Sequence, residues 1–111
     1  MKALYTIKIH CGSTVDNERW QEVNVYKEVN FLGATLLVHN VADIYKVYRS
    51  RYAVSEKTTK LAITLNNKPL PRSMKKALDL AYARIRTYVQ SPEQFQDLIM
   101  RKNIRMEGRT V

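Results

Sequence analysis

The chain has 111 residues, a formal net charge of +9, one cysteine, two histidines and three glycines. That length suits one domain with its own core and is too short for two. A lone cysteine excludes an intrachain disulfide framework, and no run of about 18 apolar residues is present to form a helical membrane span. The short apolar region behind Lys2 does not suit a signal peptide, so the expectation is a cytoplasmic protein.

Residues 2–11 alternate, with Ala3, Tyr5, Ile7, Ile9 and Cys11 on one face and Lys2, Thr6, Lys8 and His10 on the other. This predicts a half-buried strand, ended by Gly12-Ser13 and followed by a polar loop. From Trp20 to Val29 the pattern returns. Val23, Val25 and Val29 are expected on one side and Glu22, Asn24 and Glu28 on the other, with Tyr26 and Lys27 out of phase. Asn30-Phe31-Leu32-Gly33 reads as a hairpin turn with Gly33 at positive φ, and residues 34–39 as the returning strand. Ala34, Leu37, Val41, Ile44, Tyr48 and Tyr52 also fit one long helix. The hairpin is preferred because Asn40 and Asp43 resemble a helix start at residue 41.

A first helix is thus expected over residues 41–52, with Val41, Ile44, Tyr45, Tyr48 and Tyr52 inward and Lys46 and Arg49 outward. Residues 55–59 read as a loop, and residues 60–66 as a strand with Leu61, Ile63 and Leu65 inward. Asn66-Asn67-Lys68-Pro69 is turn chemistry. The strongest helical signal follows, from Pro71 to Val89. Met74, Ala77, Leu78, Ala81, Tyr82, Ile85, Tyr88 and Val89 form one arc at 100° per residue, and Lys75, Lys76, Asp79, Ala83, Arg86 and Thr87 lie opposite. Leu80 alone breaks the polar side. Ser91-Pro92 starts a third helix carrying Phe95, Leu98 and Ile99. Residues 103–111 read as a flexible basic tail or a short strand around Ile104 to Met106. The chain is expected to be a single α+β domain over 1–111. Its architecture would be a two-layer sandwich of a four-stranded, mainly antiparallel sheet with three helices on one face, in the order βββαβαα.

Several chemistries fit poorly. His10-Cys11 at a strand end departs from the tyrosine-phosphatase pattern. The sixth residue after Cys11 is Asn17 rather than Arg, so the cation that lowers a catalytic thiol's pKa is missing. The two histidines and one cysteine lack metal-ligand spacing, and three dispersed glycines cannot form a phosphate-binding loop. The reading is therefore a protein that is not an enzyme, with no cofactor and no metal.

What remains is charge. Residues 1–45 hold four basic and five acidic residues, giving −1. Residues 46–111 hold the other fifteen basic and five acidic ones, giving +10. That asymmetry favours an anionic partner. The expected function is a basic module binding RNA or DNA mainly through phosphates, using Lys46, Arg49, Arg72, Lys75, Lys76, Arg84, Arg86, Arg101 and Lys102. The alternative is a protein-interaction module that docks the same basic face on an acidic protein surface, with Leu80 as an anchor. It would be an inhibitor or accessory subunit of the kind phages and mobile elements encode. Both readings require the cations to converge on one surface.

Overall fold

In the computed structural model, residues 3–10, 20–40, 51–61, 63–64 and 71–107 are described. Four strands form one antiparallel sheet in sequence order: β1 (Tyr5–His10), β2 (Trp20–Phe31), β3 (Ala34–Asn40) and β4 (Tyr52–Glu56). Two helices follow, α1 (Met74–Tyr88) and α2 (Pro92–Glu107). The α+β class and the antiparallel sheet are as expected. The order among the described residues is ββββαα, with two helices rather than three, which corrects βββαβαα. Tyr52, expected on a helix, opens β4, and Ser55 and Glu56, expected in a loop, close it. The rest of the expected first helix, residues 41–50, lies outside the described residues.

The β2–β3 turn forms as its residues dictate. Leu32 takes φ 51° and Gly33 φ 80°, the two positive angles of a tight hairpin turn. A β-bulge then sets which side chains face where. Val25 pairs with His39 and Lys27 with Val38, so Tyr26 is an extra residue with no partner of its own. At the same point the Asn40 Oδ1 accepts from the Asn24 N–H at 2.9 Å and stands in for a ladder bond. The bulge inverts the phase of β2. Val23 and Val25 join Ile9, Leu37, Tyr5 and Ile7 on the far side of the sheet, whereas Val29 and Phe31 face the helices. This corrects the expectation that Val23, Val25 and Val29 share a face. It also explains why Tyr26 and Lys27 looked out of phase.

The helix-facing core joins Ala34, Leu36, Val38 and Val54 to Ala77, Leu78, Ala81, Ile85 and Val89 of α1 and to Phe95 and Ile99 of α2. Helix α1 begins at Met74 rather than Pro71. Ser73 is the N-cap and its Oγ accepts from the Lys76 N–H, while the Pro71 carbonyl accepts from the Tyr52 N–H at 2.9 Å. Helix α2 starts as expected. The Ser91 Oγ accepts from the Gln94 N–H at 3.2 Å, and the Gln94 Oε1 accepts from the Gln90 N–H at 2.7 Å. It runs on to Glu107, so the expected tail is helical over 103–107; residues 108–111 lie outside the described residues. Of the expected strand 60–66, the described part is only a bridge at Leu61 and a bend. Lys60 takes φ 58°, the Ile63 N–H donates to the Val54 carbonyl at 2.8 Å, and the Val54 N–H donates to the Thr64 Oγ1 at 3.0 Å.

Candidate nucleic-acid interface

Because α1 buries one stripe against β3 and β4, its opposite arc must face water. Lys75, Lys76, Asp79, Ala83 and Arg86 all lie within about 100° of helix rotation and all are exposed. From Lys75 to Arg86 the rise is ~16 Å, the axial length of about five base pairs. Arg72, just before the N-cap, is also exposed. Among the described residues, none of Arg72, Lys75, Lys76 and Arg86 takes part in an ion pair. Asp79 is the single acidic residue on the arc, so three cations outweigh one anion there. Arg86 lies 5.5 Å from the centre of the Phe31 ring, which stacks on Tyr82 at 4.4 Å. The guanidinium is thus steadied by an aromatic face without losing its exposure.

The other expected cations separate from this ridge. Arg84 projects from the opposite side of α1, is half-buried, and lines an open cleft of about 620 Å³. Arg101 and Lys102 line the same cleft, and Arg101 is paired with Asp97 at 2.6 Å. The expected cations that are described therefore form two groups, an outer ridge and a cleft wall, rather than the single surface expected. Lys46 and Arg49 lie outside the described residues. Leu80, the expected anchor, is half-buried beside the ridge.

Two polar clusters were not foreseen. His39 and Ser55 are fully buried on the far side of the sheet. The His39 Nδ1 lies 2.7 Å from the Asn40 carbonyl oxygen, which can only accept, so Nδ1 carries the proton. Nε2 then accepts from the Ser55 hydroxyl at 2.7 Å. Burial lowers the imidazole pKa to about 4, against a smaller upward pull from the Asn40 carbonyl. This Ser–His pair is buried, and its polar groups are satisfied by each other and by the Asn40 carbonyl. At the surface, Lys57 donates to the Glu28 Oε1 at 2.9 Å, and the Tyr5 hydroxyl donates to the same oxygen. The bonds from Lys57 and then Tyr5 hold the Glu28 carboxyl below its usual range. Desolvation, with the Glu28 bond, pushes the Tyr5 phenol up to about 12.

One further expectation meets the geometry differently. Tyr88 lies on the apolar arc of α1 yet is 69% exposed, because it overhangs the cleft. Cys11 lies outside the described residues. Among the described residues, no helix is long and apolar enough to cross a membrane, and no three metal-ligating side chains cluster. No protein-family model matches the chain, and neither a curated protein nor a solved structure matches it.

Proposed function

We propose that this chain is a basic, non-catalytic module that binds RNA or DNA mainly through phosphate contacts, with the outer ridge of α1 as the contact surface. The observation that carries this reading is the shared arc of Lys75, Lys76 and Arg86, exposed, outnumbering the one carboxylate there and in no ion pair among the described residues. A convex helical ridge reaches a phosphate backbone without a pocket, and point charges along it neutralise successive phosphates. The reading rests on charge rather than on base-edge contacts, so binding is expected to be nearly indifferent to sequence. One cysteine and the absence of a long apolar run accord with a cytoplasmic setting, which belongs to the same proposal.

Fluorescence anisotropy with mixed-sequence duplex DNA and single-stranded RNA at low salt tests the reading. The Lys75→Glu/Lys76→Glu variant is expected to bind at least about tenfold more weakly to every sequence, with a shallower salt dependence. Undetectable binding by the unaltered chain, or a variant that binds equally well, would overturn it.

A further inference from the structure

We infer that the cleft between α1 and α2 is a second binding site, for the apolar face of an amphipathic helix with acidic flanks on a partner protein. Its floor is apolar: Ile85, Val89 and Phe95 are buried beneath it, while Leu61, Ile63 and Leu98 remain half-exposed along it. Tyr88 hangs over the mouth with most of its ring in water, and an uncovered aromatic beside an apolar floor is the residue type that anchors interfaces.

The charges at the mouth select the partner. Glu56 is turned into its own β-turn, where its carboxylate accepts from the Thr58 and Thr59 N–H groups at 2.6 and 2.8 Å. Asp97 is taken by Arg101. Arg84 on one wall and Lys102 on the other form no ion pair among the described residues, so the charge left free is positive on both sides. An apolar floor between two cationic walls complements a helix with apolar residues at i, i+4 and i+7 and Glu beside them. Phosphates gain nothing from such a floor. The cleft is also too open for the near-complete enclosure that small-molecule sites provide. This inference concerns a different surface from the α1 ridge and does not depend on it.

The test uses the full isotopically labelled chain and two synthetic 18-residue helical peptides, identical in their leucines and carrying either Glu or Lys beside them. The Glu peptide is expected to move the amide signals of Leu61, Ile63, Tyr88, Leu98 and Lys102, and to bind at least about tenfold more tightly than the Lys peptide. Arg84→Glu/Lys102→Glu, checked for an unchanged circular dichroism spectrum, is expected to invert that preference. No shifts at these amides with 1 mM Glu peptide would overturn the inference, as would equal binding of the Lys peptide or an unchanged preference in the variant. Concentration-dependent shifts at these amides without peptide would assign the cleft to a second copy of the chain and also overturn it. A duplex oligonucleotide is expected to move Lys75, Lys76 and Arg86 instead, so failure of one site is distinguishable from failure of the other.

Discussion

His39 is a neutral imidazole sealed between Asn40 and Ser55, and that makes stability depend on pH. The folded pKa is lowered to about 4, while the unfolded chain titrates near 6.5. Between those values the unfolded state binds a proton that the folded state refuses. Stability is therefore full above about pH 6.5 and falls on acidification, by about 3 kcal/mol once pH 4 is reached. Glu28 adds a loss in the same direction that sets in as the pH falls through the ordinary carboxylate value, where the unfolded chain takes up a proton before the folded one does. Urea unfolding from pH 7.5 to 4.5 checks this. His39→Gln is expected to flatten the dependence above pH 5, and an unchanged slope would refute the assignment.

Gly33 shows a second residue-scale constraint. Its φ of 80° strains any side chain, and an added Cβ would lie 2.9 Å from the Gln96 Nε2. The amide end of Gln96 can move aside, so the backbone sets the cost. Gly33→Ala is expected to lose about 1–2 kcal/mol by urea unfolding, and Gln96→Ala in the same chain should restore little of it.

At the scale of elements, the bulge in β2 matters most. Since Tyr26 is the extra residue, deleting it leaves Val25, Lys27, Glu28 and Val29 on their present faces in a regular ladder. The shortened chain is expected to keep its fold and lose chiefly the edge contact of Tyr26 with Tyr52. Deleting Val29 instead would drive either Asn30 or Glu28 toward the helices and is expected to abolish cooperative unfolding. Circular dichroism and urea titration of the two deletions decide this; similar behaviour would show that the phase of β2 does not govern the core. Helix α1 illustrates the opposite case. Its stripe of Ala77, Leu78, Ala81 and Ile85 was legible from spacing, because a 3.6-residue period leaves one face to bury wherever the sheet lies. Tyr88 has the same spacing and is exposed, because it overhangs the cleft while its neighbours Ile85 and Val89 stay buried.

For the whole molecule, the excess of positive charge predicts how binding responds to salt. If Arg72, Lys75, Lys76 and Arg86 each neutralise one phosphate of a duplex, affinity should fall about 100-fold between 50 and 200 mM salt. Anisotropy titrations at four salt concentrations measure the slope, and a flat response would remove phosphate contact as the main source of affinity.

Strands β1 to β3, the hairpin at Gly33, the two amphipathic helices and the concentration of positive charge in the later part of the chain were legible in the order of residues alone. These follow from short-range rules: side-chain period, turn residues and caps. The folded arrangement was needed to see that Tyr52 opens a strand, that Val29 faces away from Val25, that His39 meets Ser55, and that Arg84 and Arg86, two residues apart, lie on different surfaces. Each of these depends on which neighbour packs where, and one bulged residue or 100° of helix rotation per residue is enough to send adjacent side chains to opposite sides.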